Sequence, residues 1–357
     1  MASTALPASA STPSSRRGQP RAIANWLLSV AALVFGMIVV GGITRLTESG
    51  LSIVEWAPVS GTLPPIGEAA WQAEFDAYKA TPQYIQVNTG MSLAEFKNIY
   101  FWEYVHRLLG RVIGLVFALP FAWFAIRRAI PAGYGWRLTA LLVLGGLQGF
   151  IGWWMVASGL VNQPEVSHLR LAVHLLNALL ILAALVWTAL DLLRLDRDAS
   201  ARPARMSTLA VWAFAVLALQ MLFGAYVAGL EAGYAFNSWP LMGDSLFPSN
   251  TPMLEPALRN LVDNPVVVQF VHRWLAFVVA AVLLLVARAA WTRGAAVPAV
   301  ALVGALTVQI LLGIMTLLTG VALPIAAAHQ GVAAILLACL VWCVHRTATA
   351  REMVTVT

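Results

Sequence analysis

The sequence predicts an all-α membrane protein with eight transmembrane helices, arranged as two four-helix bundles related by a pseudo-twofold axis. Of its 357 residues, 60% are hydrophobic and only 11% are charged, and the mean hydropathy is +0.78. In lipid, backbone polar groups must be satisfied within the protein, so only helices and closed barrels span a membrane. The apolar stretches are long and continuous rather than alternating, which favours helices over a barrel.

Eight apolar stretches reach the length of about 20 residues that a bilayer core requires. We therefore expect membrane spans, surrounded by membrane lipid, at residues 23–43, 99–126, 137–159, 168–191, 207–230, 266–289, 297–320 and 325–345.

Arginines cluster in the segments on one side of these spans, and basic residues mark the cytoplasmic side of a membrane protein. Both termini are then cytoplasmic, and the two long loops, 44–98 and 231–265, lie outside. The net charge of +6 comes mostly from these arginines and does not indicate nucleic-acid binding. They are Arg16, Arg17, Arg21, Arg127, Arg128, Arg137, Arg194, Arg197, Arg202, Arg205, Arg288, Arg293, Arg346 and Arg351.

The first long loop carries two local signals. Trp71, Phe75 and Tyr78 fall at helical spacing, which predicts a short amphipathic helix on the membrane surface. Ser92 and Glu95 form a capping box, so the helix of the second span should begin there. In the second loop, five prolines between residues 240 and 265 should prevent any long helix.

The two halves of the chain resemble each other. The second span carries Glu103-Tyr-Val-His106-Arg107, and the sixth carries Gln269-Phe-Val-His272-Arg273. Spans 3 and 7 share a glutamine and a glycine, which are Gln148 and Gly152 in span 3 and Gln309 and Gly313 in span 7. Spans 4 and 8 share a histidine and a tryptophan, which are His174 and Trp187 in span 4 and His329 and Trp342 in span 8. An even number of spans per half gives a parallel repeat about an axis along the membrane normal.

This repeat defines the expected domain organisation. The N-terminal half covers residues 23–195 and the C-terminal half covers 205–346, with a cytoplasmic linker at 196–204. Residues 1–22 are predicted to be a disordered tail, and residues 347–357 form a C-terminal tail. The two cysteines, Cys339 and Cys343, lie one turn apart in the last span, where we expect buried apolar residues and no disulfide.

Four histidines fall at one depth, in the outer portions of spans 2, 4, 6 and 8. Paired imidazoles from two helices of a four-helix bundle hold a haem iron from both sides. We therefore predict one haem site per half, with iron ligands His106 and His174 in the first half and His272 and His329 in the second. Ordinary hydrogen-bonded helix-end residues or a di-metal site are the alternatives, and the latter usually requires several carboxylates. His168 is expected to be structural and His345 to lie at the inner interface.

The two predicted sites differ in one residue. Glu103 lies one turn from His106, whereas its counterpart Gln269 can neither carry a charge nor move a proton. A buried carboxyl at that position could exchange protons or stabilise a developing cation, whereas an interfacial one would simply face water. Arg107 and Arg273 could pair with haem propionates or extend towards lipid headgroups.

Several motifs of this chain resemble those of the haem A synthase family. They are residues 41–52 (GGITRLTESGLS), 56–58 (WAP), 61–65 (GTLPP), 103–111 (EYVHRLLGR) and 237–242 (NSWPLM), together with the four histidines. The likeness covers about residues 25–345. The first loop contains no cysteine, as in the cysteine-free type found in proteobacteria and mitochondria.

The resemblance implies an eight-helix enzyme that converts haem O to haem A for cytochrome oxidase. By this likeness, His106 and His174 would bind the substrate haem O, His272 and His329 would bind a haem b cofactor, and Glu103 would be the catalytic carboxylate. A porphyrin methyl group would become an alcohol, then a geminal diol and then an aldehyde, while the haem b relays electrons.

The same resemblance suggests partners and a location. Haem O would arrive from the farnesyltransferase that makes it (haem O synthase), and an unidentified partner would take part in electron transfer; a homo-oligomer is left open. The expected location is the bacterial inner membrane, ahead of the mitochondrial inner membrane, with the haem sites near the outer face.

Two functions of other classes remain open from the sequence. A di-haem b-type cytochrome would pass electrons and leave both haems unchanged, although the difference between Glu103 and Gln269 and the large first loop argue against it. A haem carrier would hold one haem weakly and show no turnover.

Overall fold

The computed structural model describes residues 18–57, 60–161 and 163–354. These residues form eleven α-helices and no β-strand, and eight of the helices are long and apolar enough to cross a membrane. The helices are α1 (Pro20–Leu46), α2 (Glu68–Lys79), α3 (Pro82–Gln86), α4 (Leu93–Ile126), α5 (Gly135–Gly159), α6 (His168–Arg197), α7 (Thr208–Gly229), α8 (Asn260–Asp263), α9 (Pro265–Trp291), α10 (Ala296–Leu318) and α11 (Leu323–Val354).

The eight membrane helices confirm the eight predicted spans, and several extend beyond them. α4 begins at Leu93, after an N-cap at which the Ser92 hydroxyl accepts from the Glu95 backbone N–H and the Glu95 side chain accepts from the Ser92 N–H. This is the expected capping box. α1 already begins at Pro20 and α11 continues to Val354, so helix reaches into both segments predicted to be tails; residues 1–17 and 355–357 lie outside the described residues.

The amphipathic helix of the first loop exists as α2, but its predicted position on the membrane surface is wrong. Its apolar residues Phe75 and Tyr78 are buried against Phe96 and Tyr100 on the first turns of α4. Trp71 meets the Tyr100 ring edge-on, with ring centroids 5.0 Å apart. α4 begins several residues before the predicted span, and these first turns give the apolar face of α2 a protein surface to pack on in place of lipid.

The helices of each half pack against one another, and the halves meet along a shared seam. α1 contacts α4 and α6, and α5 contacts α4 and α6; in the second half, α9 contacts α7, α10 and α11. Contacts between the halves join α6 to α7 and α11, and α1 to α11. The buried leucines Leu185, Leu283, Leu302 and Leu340 belong to one continuous apolar core. The grouping into two symmetric bundles stays a prediction.

A buried polar cluster ties the seam together at the end of α6. The Asp191 carboxylate accepts from Arg137 Nη1 at 2.7 Å and from the Ala204 backbone N–H at 3.1 Å, and its Oδ1 lies 2.9 Å from His345 Nε2. His345 is only 3% exposed, so it is a buried, hydrogen-bonded residue and does not face lipid headgroups or water as an interfacial residue would. The carboxylate draws this ring inward because a buried anion requires hydrogen-bond donors.

Candidate functional site

The first predicted ligand pair is brought together by α4 and α6. The imidazole centroids of His106 and His174 lie 6.4 Å apart, and the two ring planes differ by 27°. An imidazole nitrogen lies about 2.0 Å from a first-row metal ion, so two rings that share one ion have their centroids about 6 Å apart. The spacing of His106 and His174 therefore fits two axial ligands of a single iron.

Each of the four histidines lies against a glycine on a neighbouring helix. A Cβ built on Gly41 would lie 3.0 Å from Cε1 of His106, and one on Gly224 would lie 3.0 Å from Cε1 of His272. The same distance is 2.9 Å for Gly152 with His174 and for Gly313 with His329. We call these four residues, Gly41, Gly152, Gly224 and Gly313, the seat glycines. Any larger residue there would occupy the space of the ring, so all four positions fit imidazoles held in fixed orientations.

The second predicted pair occupies the corresponding places in the other half. His272 lies on α9 and His329 on α11, each against its own seat glycine. All four histidines are partly buried, although the structure buries the Nδ1 atoms of His106 and His329 completely. A donor set of paired imidazoles without carboxylate ligands suits haem iron.

Glu103 is buried beside His106 and is held by four hydrogen bonds. Its Oε2 accepts from the Ser52 hydroxyl at 2.7 Å and from the Ile53 backbone N–H at 2.8 Å. Its Oε1 accepts from Nε and Nη2 of Arg107 at 3.0 and 2.6 Å. All four partners donate, which is the role of an ionised carboxylate that acts only as an acceptor. The alternative of a water-exposed interfacial glutamate is excluded, since the residue is 3% exposed.

Gln269 takes the same place in the second half but reverses the direction of the hydrogen bonds. Its amide donates to the Phe236 carbonyl at 2.9 Å. No serine hydroxyl is available at the position equivalent to Ser52, because the second half has Ala235 there. The first half thus presents a buried anion near its histidine pair, and the second half presents a neutral amide.

The two arginines hold equivalent loop carbonyls. Arg107 donates to the carbonyls of Ile53 at 2.8 Å and Glu55 at 3.1 Å. Arg273 donates to Phe236 and Ser238, each at 2.8 Å. These matching contacts anchor the first turns of both long loops over the two sites. A bond to a haem propionate stays a prediction for both arginines.

Several residues that build these sites have no site role predicted from the sequence. Ser52 fixes Glu103, Gly41 and Gly224 seat two of the histidines, and Gln220 donates to the His272 carbonyl at 3.0 Å. A usable signal exists in the sequence: Gly41 and Gly224 are each followed at the same distance by Glu48 and Glu231, and further on by Trp56 and Trp239. The repeat therefore extends to the first and fifth spans.

His168 makes packing contacts outside both sites. Its ring meets Tyr226 edge-on with centroids 5.9 Å apart, and its Nε2 lies 3.2 Å from an Asp263 carboxylate oxygen. A Cβ on Gly229 would lie 2.5 Å from the Cβ of His168, so α6 and α7 approach closely here. These contacts agree with a structural role at the seam between the halves.

Comparisons with known proteins agree over nearly the whole chain. A protein from Rhizorhabdus wittichii named haem A synthase is 58% identical over 335 residues, which are 93% of this chain and 96% of that protein. Haem A synthases from Sphingopyxis alaskensis and Novosphingobium aromaticivorans are 54% and 52% identical, covering 95% and 94% of this chain and 96% and 98% of their own lengths. The family model described as "Cytochrome oxidase assembly protein" (COX15-CtaA) matches residues 24–341. The chain therefore belongs to the COX15-CtaA family of cytochrome oxidase assembly proteins.

Proposed function

We propose that this protein is a haem A synthase, an oxidoreductase that converts a methyl group of haem O to a formyl group and so provides haem A for cytochrome oxidase. The observation that carries this proposal is the asymmetry between the halves. His106 and His174 face each other with centroids 6.4 Å apart, and the buried Glu103 carboxylate lies one turn from His106. The equivalent position in the other half holds Gln269, which has no such chemistry.

The N-terminal half, residues 23–195, would bind the substrate. His106 and His174 would ligate the haem O iron from α4 and α6, and the seat glycines Gly41 and Gly152 would fix both rings. The family relatives named haem A synthase support the choice of substrate. Haem O would come from the farnesyltransferase that makes it.

The C-terminal half, residues 205–346, would hold haem b through His272 and His329. When bound there, this group supplies a route for electrons between the substrate site and an electron-transfer partner. Gln269 and Arg273 keep the second loop closed over that site through the carbonyl of Phe236.

Glu103 would act on the methyl group of the substrate. Removing two electrons and a proton from that methyl group leaves positive charge on the carbon, which a preorganised carboxylate stabilises electrostatically. Ser52, Ile53 and Arg107 hold the carboxylate in place before the reaction, so little reorganisation is required. Glu103 could also accept the departing proton.

The product follows from two successive hydroxylations. The first gives an alcohol and the second gives a geminal diol, which loses water to become the aldehyde. Each hydroxylation removes two electrons and a proton from the carbon, and water then adds to it with loss of a second proton. The two electrons need an acceptor, which is why an electron-transfer partner is required.

The arginine distribution supports an orientation in the bacterial inner membrane. Both termini would face the cytoplasm. The two long loops, which are hydrogen-bonded to Glu103 and Arg273, would cover haem sites near the outer face. A reporter that functions only in the cytoplasm should then be active when it is fused to the C-terminus.

Analysis of the bound haems tests the proposed function. The protein is purified from a host that makes haem O, and the extracted haems are separated by chromatography and identified by mass. Haem B together with haem O, haem A or the alcohol intermediate would support the proposal. Haem B alone, filling both sites, would contradict it in favour of an electron-transfer cytochrome. One weakly held, unchanged haem would favour a carrier.

A further inference from the structure

One polar side chain crosses the seam between the halves beside both predicted sites. Gln330, on α11, donates from its Nε2 to the backbone carbonyl of Ile38 on α1 at 2.8 Å. A Cβ built on Gly42 would lie only 2.7 Å from Oε1 of this amide, so only glycine leaves room for it. Likewise, a Cβ on Gly331 would lie 3.3 Å from Cγ2 of Val39. Glycines on both helices thus allow α1 and α11 to approach closely.

The residues in this contact are chain neighbours of site residues from opposite halves. Gln330 directly follows His329, a predicted ligand of the second site. Gly42 directly follows Gly41, the seat glycine that lies against His106 of the first site. The path from one site to the other therefore consists of two side-chain contacts and two peptide bonds. A displacement of α11 at the second site would act directly on the seat of His106.

The repeat-related crossing, between α6 and α7, has a different chemistry. The residue that follows His174 is Leu175, and the residue that follows the seat glycine Gly224 is Ala225. Both are apolar, since Ala225 is buried and Leu175 packs against the apolar core. Neither side chain can form a hydrogen bond, so this crossing cannot carry an equivalent of the Gln330 contact.

The Gln330 contact depends on the position of α11. The membrane interior offers an amide no water, so the amide of Gln330 is satisfied by the neighbouring helix. Iron ligation by His329 would hold this part of α11 in place, and the adjacent amide would then hold α1 at Ile38 and Gly42. The seat of His106 becomes fixed as a result. Without ligation at His329, this restraint on the first site is lost.

We propose that Gln330 couples the two haem sites, so that the first site holds its haem tightly only when the second site is filled. This inference rests on the proposed function, in which oxidation of haem O requires an electron route through the second site. A protein that lacks haem b would then release haem O instead of retaining a substrate that it cannot oxidise. Gln330 is accordingly a positioning residue, which acts on His106 through α1.

A double-mutant cycle in purified full-length protein tests this coupling. His272→Ala empties the second site from α9, whose main partners are α7, α10 and α11. Gln330→Leu introduces the residue found at the repeat-related position, Leu175. First-site haem is counted as haem O plus its oxidised products, and its transfer to excess apomyoglobin is followed by chromatography. The same chromatograms verify that haem B is absent from the His272→Ala proteins.

His272→Ala alone should speed the loss of first-site haem. An interhelical hydrogen bond changes an equilibrium constant by about threefold on average and by up to about twentyfold, so we expect an acceleration in that range. In the Gln330→Leu background, His272→Ala should change the loss by no more than about twofold, as for independent sites. A merely structural role of Gln330 would leave the effect of His272→Ala the same in both backgrounds. That result would overturn the inference, and so would an absence of any effect of His272→Ala.

A matched pair of variants on α1 tests the same contact from its other side. In Gly42→Ala the new Cβ would displace the amide of Gln330, so the retention of first-site haem should no longer depend on haem B. Gly36→Ala is the control, because a Cβ on Gly36 would have no atom within 4 Å, and it should keep the dependence. Full dependence on haem B in Gly42→Ala would contradict the proposed coupling.

A further control separates this contact from general adhesion of the halves. Arg45→Gln breaks the 3.2 Å ion pair between Arg45 on α1 and Glu231 at the end of α7, which also joins the halves. This variant should keep the dependence of first-site haem on haem B. Loss of the dependence in Arg45→Gln would overturn the assignment of the coupling to Gln330. Absence of haem O and its products from the unmodified protein would instead contradict the proposed function.

Discussion

The hydroxyl of Ser52 donates a 2.7 Å hydrogen bond to the buried carboxylate of Glu103, joining the first long loop to the helix that carries His106. The equivalent residues of the second half are Ala235 and Gln269, which cannot form this bond. Serine and glutamate are thus present together in one half and absent together from the other. The loop does more than cover the site, since it supplies two of the four donors that fix the carboxylate.

Ser52→Ala should reduce the rate of haem A formation without removing it. Glu103 keeps the Ile53 N–H and Arg107, and loses one hydrogen bond to a charged group, worth about 1.5–3 kcal/mol. We therefore expect a decrease of about tenfold or more, measured as the ratio of haem A to haem O in extracts. Ser49→Ala is the control, because Ser49 is also buried but its hydroxyl contacts Thr47. Equal activity of the two variants would argue against a role for Ser52 in positioning Glu103.

Alanine at a seat glycine should empty one site only. In Gly152→Ala the new Cβ would lie 2.9 Å from Cε1 of His174, which must then move away from its ligating position. We expect haem O content to fall at least about tenfold while haem B is retained, as measured by chromatography of extracted haems. Gly313→Ala should have the opposite selectivity, through His329.

The chain offers matched controls on the same helices. A Cβ on Gly145 or Gly304 would have no atom within 4 Å, and alanine in a helix interior is favoured over glycine by about 0.8–1.0 kcal/mol. Gly145→Ala and Gly304→Ala should keep both haems. If Gly152→Ala retained as much haem O as Gly145→Ala, the assignment of His174 as a ligand would be wrong.

Asp191→Ala should destabilise the fold without acting on the sites. It leaves the partly buried Arg137 without its anion and the buried His345 without its hydrogen-bond partner, and removing one partner of a buried ion pair costs up to about 3–5 kcal/mol. Thermal unfolding in detergent should show a clearly lower Tm. Asp196→Asn, an exposed position on the same helix, should leave the Tm unchanged. An unchanged Tm in Asp191→Ala would show that the cluster contributes little to the seam.

The eight membrane helices and the His106–His174 pair could be predicted from the sequence because both leave periodic or repeated signals. Long apolar stretches predict spans directly, and Glu103, His106 and their counterparts repeat in order. The capping box at Ser92 also depends on neighbours in the chain, so it was predictable.

The contacts made across the fold could not be predicted in the same way. Asp191 meets His345 from 154 residues away, and nothing in either local sequence indicates that pairing. Phe75 and Tyr78 give the pattern of a membrane-surface helix, and only the extension of α4 provides the protein face that they cover. Gly41 and Gly224 lie within apolar helices whose composition hides them until the first and fifth spans are aligned.

The haem products of Glu103→Gln test the central claim most directly. This variant gives the first half the amide that the second half already has, at nearly the same size, and removes only the charge. Gln269→Glu, and the double variant that exchanges the two residues, are the controls of matched composition. We predict that Glu103→Gln and the double variant retain haem B and haem O but form no haem A, and that Gln269→Glu alone still forms haem A. A normal yield of haem A from Glu103→Gln would contradict the account.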